Sequence, residues 1–327
     1  MNIKRFLLLS LFLLLGGLAY YLFRPLSGIP DPAAFTCHEL SEGYFLARDS
    51  LPAPQHILGM GLTYSDHLKE TSASFDPKAL PPIFLKQVSS MTGHETKVAL
   101  PDMKEMLAAI SALEPEVAEK VEHDFPEMGP LLDYEVELGF VLLADISREE
   151  LQDENFVPPI GFFLANDLSA RSLALLGEGS SKRYAYWGAS KSFPGFTPMT
   201  DQVWIPHEPQ PNSLPCIRLE TFVNGEQRQS QTTENMIYTP AQMLAFIQQK
   251  YPDLSLKRGD MILMGTPGGV AIGTPRALVR LSSLLGFDRY RKLSVKLGGD
   301  QALFLKRGDE VEIRGEGLGR VKISVGE

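Results

Sequence analysis

Acidic residues occupy alternate positions at the start of one apolar segment, DYEVELGFVLLADIS, which runs from Asp133 to Ser147. Side chains along a β-strand alternate between its two faces, so Asp133, Glu135 and Glu137 would share one face of a strand. Like charges placed side by side repel one another unless a cation lies between them. The pattern therefore predicts either a solvated strand face or a site for a hard, oxygen-preferring cation such as Mg²⁺, Mn²⁺ or Ca²⁺.

Length, composition and charge bound the class of protein. The chain has 327 residues, 44% of them hydrophobic and 22% charged, so one large domain or two small ones can bury a sizeable core. The formal net charge is −9, whereas nonspecific nucleic-acid binding requires a cationic surface that displaces phosphate counterions. We therefore expect no nucleic-acid partner.

Residues 1–24 differ from the rest of the chain. Lys4 and Arg5 precede an uncharged, mostly apolar run from Phe6 to Phe23, which is just long enough as a helix to cross a hydrocarbon core. This segment is either an uncleaved membrane anchor or a signal peptide cut after Ala19, and the aromatic residues near its far end favour the anchor. The positive charges before the run predict that the domain lies on the non-cytoplasmic (periplasmic) side, membrane-anchored or, after cleavage, secreted.

The remaining residues divide into a short linker and one main domain. Residues 25–54 are rich in proline and small polar residues, which indicates a linker with a first strand or two. In residues 55–327 short β-like runs alternate with turn clusters and helical patterns are fewer, which predicts an α+β, β-rich fold. Helical spacing predicts one helix in DMKEMLAAISALEPEV, interrupted by Pro115, and a second from Pro240 to Gln249. The Asn-Gly pair of VNGE, Val223 to Glu226, predicts a hairpin turn.

The sequence contains two cysteines, Cys37 and Cys216. Their separation fits neither a CxxC redox pair nor a zinc site, so we expect no disulfide framework. In an oxidising compartment the two could pair, provided that their Cα atoms lie close together.

Four further segments carry side chains suited to chemistry. GFFLANDLSARSLALL places Asp167 between a predicted strand and a predicted helix, where it would bind a cation or cap the helix. GMGLTYSDHLKE places His67 and Glu70 three residues apart, either as an interacting pair on one helix face or as the start of a surface helix. Lys191 lies among small residues in YWGASKSFPGFTP. ILMGTPGGVAIG ends a strand in a glycine-rich turn with Thr266, which lacks the Walker pattern but suits anion binding.

Together with FLKQ, which carries Lys86, six of these motifs resemble the fumarylacetoacetate hydrolase family when taken in order over about 270 residues: YSDHLKE, FLKQ, DYEVELG, ANDLSARS, SKSF, VNGE and LMGTPGGV. The resemblance implies a mixed β-sandwich-like roll with few helices, of the type of that family's C-terminal domain. It also implies a divalent cation, Mg²⁺ or Mn²⁺ with Ca²⁺ as a further candidate, held by Glu135, Glu137 and Asp167. Asp133 would then support the ligands.

The activity implied is that of an acylpyruvase-like or fumarylpyruvate hydrolase-like enzyme, a metal-dependent hydrolase that cleaves a carbon–carbon bond in acylpyruvate-like 2-oxo acids. The resemblance assigns water activation to His67 and Glu70, oxyanion stabilisation to Lys191, and substrate binding to Lys86, Arg171 and Thr266. It also implies a homodimer. Two alternatives stay open: an oxaloacetate-type decarboxylase or isomerase that uses the same site, and a catalytically silent, membrane-tethered binder of 2-oxo acids.

The chain departs from the family pattern in three places. The connections from Pro101 to Pro130 and from Arg276 to Leu305 are longer than usual, and the second is basic. This basic stretch is either a solvated insertion or a surface for anionic lipid headgroups. Thr63 stands where many relatives have Asn, which bears on substrate preference.

Overall fold

The structure, a computed structural model, describes residues 29–71, 76, 79–153, 155–178, 180–272 and 303–326, with the backbone alone for 69–71. The anchor or signal segment predicted for residues 1–24 lies outside these described residues. Within them, no helix is both long and apolar enough to span a bilayer.

The described residues form many short strands and few helices. The strands are β1 (Thr36–His38), β2 (Gly43–Ala47), β3 (Ile57–Met60), β4 (Ile83–Lys86), β5 (Met91–Thr92), β6 (Glu95–Ala99), β7 (Leu132–Asp133), β8 (Val136–Leu142), β9 (Ile160–Asn166), β10 (Ser169–Ala170), β11 (Thr197–Pro198), β12 (Gln202–Pro206), β13 (Ser213–Pro215), β14 (Arg218–Val223), β15 (Glu226–Thr232), β16 (Met261–Leu263), β17 (Glu310–Gly315) and β18 (Gly319–Gly326). The helices are α1 (Ser65–Thr71), α2 (Met103–Leu113), α3 (Pro115–Asp124), α4 (Arg171–Leu176), α5 (Arg183–Ser190) and α6 (Pro240–Lys250). The α+β, strand-rich prediction is confirmed.

Two mixed sheets carry the fold. A seven-stranded sheet has the order β2-β12-β9-β8-β16-β3-β4, and a five-stranded sheet has the order β15-β14-β17-β18-β6. Strands β16 and β3 run parallel, as do β18 and β6, while the other pairs in these two sheets are antiparallel. Three shorter two-stranded pairs complete the described sheets, namely β1 with β13, β10 with β7 and β11 with β5.

Strand β8 lies at the centre of the molecule and is buried along its whole length. Leu138 and Phe140 belong to the larger core cluster, together with Leu219 and Ile313 of the five-stranded sheet. The alternate residue Val141 belongs to a second cluster on the opposite face. Because both faces of β8 are covered, the apolar run that follows the acidic residues has no polar alternation.

The local predictions are confirmed in detail. Asp102 caps α2, Pro115 takes the first turn of α3, and α6 begins at Pro240. The hairpin turn between β14 and β15 has positive φ at Asn224 and Gly225, 51° and 82°, as an Asn-Gly pair permits. The long connection between residues 101 and 130 is therefore largely the helical pair α2–α3.

The segment before residue 55 is part of the folded domain and not merely a linker to it. Strand β1 pairs with β13, β2 forms an edge of the seven-stranded sheet, and Cys37 is disulfide-bonded to Cys216 across a Cα–Cα distance of 5.2 Å. The expectation of no disulfide framework was therefore wrong. The reason is topological, because the parallel pairing of β1 with β13 brings together two residues 179 positions apart.

Both ends of the second long connection meet at β7. The backbone N–H groups of Ala271 and Ile272 donate to the Asp133 carboxylate at 2.8 and 3.2 Å. On the other side, the N–H of Leu305 donates to the carbonyl of Leu132 at 2.8 Å. Residues 273–302, which include most of the predicted basic stretch, lie outside the described residues.

Candidate metal centre

Three buried carboxylates meet where β8 begins and β9 ends. Glu135, Glu137 and Asp167 each offer an oxygen, and these oxygens all lie within 4.8 Å of one another. The antiparallel pairing of β8 with β9 sets Val136 opposite Asn166, so the residues flanking this pair come together. Asp167 does not cap the helix that follows, because α4 begins four residues later.

Backbone hydrogen bonds fix these three residues relative to one another. Asp167 donates its N–H to the carbonyl of Glu135 at 2.8 Å, and Glu135 donates its own N–H to Oδ1 of Asn166 at 3.0 Å. On the other side, the N–H of Gly265 donates to Oε2 of Glu137 at 2.8 Å. Gly265 has φ +92°, and a Cβ there would lie 2.2 Å from Oγ1 of Thr63, so this close approach requires glycine.

Three buried cations surround the carboxylates. Lys191 donates to Asp167 at 2.6 Å and also to Glu135, while Lys86 donates to Asp167. The guanidinium of Arg171 donates to Asp133 at 2.7 Å and also to Glu135. The predicted substrate-binding residues Lys86 and Arg171 and the predicted catalytic Lys191 therefore all contact the acidic cluster.

The electrostatic environment shifts the pKa values of the acids in opposite directions. Burial alone would raise the pKa of Glu135, but Arg171 and Lys191 hold that pKa at about 2. Burial, and then the neighbouring Asp167, raise the pKa of Glu137 well above its usual range. Burial lowers the pKa of Lys86, whereas Asp167 and Glu135 outweigh burial and raise the pKa of Lys191. The charged form of Glu137 is thus the least stabilised by the protein alone.

This donor set fits a hard divalent cation. Carboxylate oxygens are the ligands that Mg²⁺, Mn²⁺ and Ca²⁺ prefer, and the three oxygens are close enough to share one ion. A cation would also relieve the burial of Glu137 beside like charges, which is the cause of its raised pKa. Glu135, Glu137 and Asp167 are therefore the residues that would hold the metal.

Helix α1 brings a histidine to the same place. His67 is buried, and its proximity helps to lower the pKa of Glu135. Glu70 lies in the last turn of α1, but its side chain is outside the described part of the structure. Tyr64, which precedes α1, is fully buried. Burial raises its pKa most, and the negative charges of Glu137 and Asp66 raise it further. The segment predicted for water activation therefore adjoins the acidic cluster.

Two side chains near the acidic cluster, Asn166 and Gln229, were not predicted from the sequence. Asn166 accepts the N–H of Glu135, and Gln229 of β15 donates to Oγ1 of Thr266 at 2.9 Å. Thr266 in turn donates its hydroxyl to the carbonyl of Val136 at 3.0 Å, so that proton is already engaged. Asn166 could have been found from its place before Asp167. Gln229 is visible only as the one buried residue of a polar strand.

A strand-rich α+β fold that surrounds a buried three-carboxylate centre with lysine, arginine and histidine defines a class of divalent-metal-dependent enzymes. Within that class, the chain belongs to the fumarylacetoacetate hydrolase family. The profile described as fumarylacetoacetate (FAA) hydrolase C-terminal matches residues 56–326. This confirms the family predicted from the ordered motifs.

The relatives differ in their named activities. The chain is 26% identical over 272 residues to 2,4-didehydro-3-deoxy-L-rhamnonate hydrolase of Sphingomonas sp., covering 83% of this chain and 73% of that protein. It is 30% identical over 285 residues to human mitochondrial oxaloacetate tautomerase FAHD2A, covering 85% and 68%. The family thus includes both hydrolases and tautomerases.

Solved structures support the fold. Fumarylpyruvate hydrolase from Pseudomonas aeruginosa, in complex with Mn²⁺ and pyruvate, aligns over 92% of this chain and 98% of its own, with a TM-score of 0.54 and 18% identity. A putative HpcE protein from Mycobacterium smegmatis aligns over 84% and 75%, with a TM-score of 0.54 and 24% identity. At these identities the likeness establishes the shared fold alone.

Proposed function

We propose that the protein is a divalent-metal-dependent hydrolase that cleaves a carbon–carbon bond in acylpyruvate-like 2-oxo acids. The observation that carries this proposal is the position of His67, which is buried on α1 beside the acidic cluster. Hydrolysis requires a base that can take a proton from water next to the substrate, and histidine is the side chain best suited to this near neutral pH. Mg²⁺ and Mn²⁺ are the proposed cofactors.

The charges of the cluster favour a substrate with one negative charge. Among the described side chains of the cluster, when all are ionised, the four buried acids Asp133, Glu135, Glu137 and Asp167 exceed the three buried cations Lys86, Arg171 and Lys191 by one charge. A divalent cation turns this into an excess of one positive charge, which a monoanion neutralises. An acylpyruvate with an uncharged acyl group carries one carboxylate, whereas oxaloacetate and fumarylpyruvate carry two. Burying an unbalanced charge is costly, so the monoanion is the better match.

The reaction divides among the side chains of this site. When bound, the cation supplies Lewis-acid stabilisation of negative charge on the 2-oxo acid group. An imidazole nitrogen of His67 takes a proton from water as the water oxygen bonds to the distal carbonyl carbon, and the family resemblance assigns Glu70 to the same step. Lys191 Nζ stabilises the charge that develops on oxygen. The bond between that carbonyl carbon and the pyruvate methylene then breaks, and the methylene carbon takes the electron pair and a proton, which gives a carboxylic acid and pyruvate.

A second candidate is the tautomerisation or decarboxylation of oxaloacetate. The 30% identity to the human protein named oxaloacetate tautomerase favours it. These reactions need proton transfer next to a carbonyl but no attacking water, so His67 would serve as a proton carrier.

The test uses the purified full-length chain, stripped of metal and resupplied with Mg²⁺, Mn²⁺ or Ca²⁺. Acetylpyruvate and longer acylpyruvates are assayed for stoichiometric pyruvate and carboxylic acid, and oxaloacetate is assayed for tautomer exchange and carbon dioxide. His67→Gln should abolish hydrolysis, while the exposed control His207→Gln should not. Tautomer exchange without acylpyruvate cleavage would replace the proposal by the second candidate. Binding of 2-oxo acids without turnover would indicate the silent binder.

We further propose that the domain lies on the non-cytoplasmic side of a membrane, anchored by residues 1–24 or released after their cleavage. The Cys37–Cys216 disulfide supports an oxidising compartment, because disulfides rarely persist in the cytosol. Protease accessibility in spheroplasts tests the side, and carbonate extraction separates an anchored from a released protein. A protein that is protected from the protease and fully reduced would refute the proposal.

A homodimer is also proposed, and sedimentation of the solubilised chain tests it.

A further inference from the structure

The side chain of Gln229 uses every hydrogen-bonding position that it has. Its Oε1 accepts the N–H of Val136 at 3.1 Å and the hydroxyl of Thr221 at 2.7 Å. Its Nε2 donates to Oγ1 of Thr266 at 2.9 Å and to the carbonyl of Pro267 at 3.0 Å. Two acceptor and two donor positions are all that a carboxamide offers, so Gln229 is fully satisfied although it is buried.

Three of these groups form a closed ring. Val136 donates its N–H to Gln229, Gln229 donates to Thr266, and Thr266 donates its hydroxyl back to the carbonyl of Val136 at 3.0 Å. Both backbone polar groups of Val136 are therefore held by side chains. Val136 is the residue between Glu135 and Glu137, two of the three residues that would hold the metal.

The ring lies where the regular sheet ends. Strand β16 pairs with β8 as far as Leu263 and Gly139, and the N–H of Met264 still donates to the carbonyl of Leu138 at 3.0 Å. The chain then turns at Gly265, and Pro267 has no N–H to offer. If the pairing of β16 with β8 continued in the same register, Thr266 would lie opposite Val136. The side chains of Gln229 and Thr266 make the hydrogen bonds to the backbone of Val136 that a continued β16 would have made.

We propose that Gln229 is a positioning residue for the metal centre, which closes this ring and so fixes the strand segment that carries Glu135 and Glu137. The inference rests on the proposed metal site but not on the reaction. A partner that orients metal ligands without touching the metal typically changes affinity by about 10- to 100-fold when removed. Strand β15 of the five-stranded sheet is thereby coupled to a centre in the other sheet.

The decisive experiment measures Mn²⁺ binding to the metal-free, full-length protein by calorimetry and by the electron paramagnetic resonance spectrum of the bound ion. Gln229→Met keeps the length of the side chain but removes its hydrogen bonds, and it should weaken Mn²⁺ binding at least about tenfold and broaden the spectrum. Thr221→Val is the matched control, because it removes a buried hydrogen bond to the same carboxamide outside the ring. It should leave affinity within about twofold of wild type, whatever its effect on thermal stability.

A second pair of variants tests the ring from its other side. Thr266→Ser keeps the hydroxyl and should bind Mn²⁺ as wild type does, whereas Thr266→Val should match Gln229→Met, and the double variant should be little worse than either single one. This pair decides the question if Gln229→Met does not fold. Wild-type affinity in both ring-breaking variants, or an equal loss in Thr221→Val, would overturn the inference alone. Absence of Mn²⁺ binding by the wild type would overturn the metal site and the role of Gln229 with it.

Discussion

Removal of the disulfide should cost a large share of the stability of the protein. Cys37 and Cys216 close a loop of 179 residues, and the chain-entropy relation for a loop of that length gives about 5 kcal/mol at 25 °C. For the roughly 260 residues that the structure describes, the unfolding entropy is about 0.55 kcal/mol per kelvin, so the unfolding temperature should fall by roughly 9 °C. The double variant Cys37→Ser/Cys216→Ser should therefore unfold at a lower temperature and a lower urea concentration than the oxidised wild type.

The assay is urea and thermal unfolding of the wild type and the double variant, each with and without reductant. The cross-link acts mainly on the unfolded chain, so reduced wild type and the double variant should unfold at the same midpoint, and reductant should not affect the variant. A difference below about 1 kcal/mol between oxidised wild type and the variant would refute the reasoning. So would a variant that is much less stable than reduced wild type, because local damage rather than chain entropy would then explain the loss.

Three further substitutions follow from the site. Glu137→Gln replaces one of the four buried acids by a neutral side chain, so the metal-free variant should unfold at a higher temperature than metal-free wild type. It should also lose the increase in unfolding temperature that Mn²⁺ produces. Scanning calorimetry with and without Mn²⁺ measures both effects, and a variant still stabilised by Mn²⁺ would contradict the ligand assignment. Arg171→Met leaves Asp133 buried without its cation and should cost about 3–5 kcal/mol in urea unfolding, whereas a loss below about 1 kcal/mol would show that the pair contributes little. Gly265→Ala should destabilise far more than Gly225→Ala, because both residues have positive φ but only a Cβ at Gly265 meets other atoms; equal losses would show that φ alone matters.

Local periodicity accounts for the part of the centre that the sequence revealed. The alternation in DYEVELG placed Glu135 and Glu137 on one face, and the strand-to-helix junction drew attention to Asp167; the structure brings all three together. These signals are short-range, because a strand repeats every two residues and its end is marked within a few positions. The family resemblance supplied the order of motifs that joined the separate segments.

The features that were not predicted from the sequence depend on contacts between residues far apart in the chain. Gln229 reaches the centre because the five-stranded sheet packs against β8 through β14 and β17, which brings the side chain of Gln229 to the N–H of Val136. Nothing in the polar strand EQRQSQT indicates this. The disulfide depends likewise on β1 lying beside β13. The ion pairs of Arg171 with Asp133 and Glu135 depend likewise on where three elements meet, and its role in substrate binding stays a prediction. Such contacts are set by topology, which a single sequence does not contain.

The attachment of residues 273–302 has a consequence for how this fold can diversify. Ile272 and Leu305 are both hydrogen-bonded to the two-residue strand Leu132–Asp133, so the two described ends of this connection lie at one point of the fold. Loop-closure entropy grows only slowly with length, by about 0.6 kcal/mol per doubling. Length and composition can therefore change there at little thermodynamic cost, while Asp133 keeps its contact with Arg171. Both ends are thus tied to the strand whose Asp133 carboxylate holds Arg171 beside the metal centre.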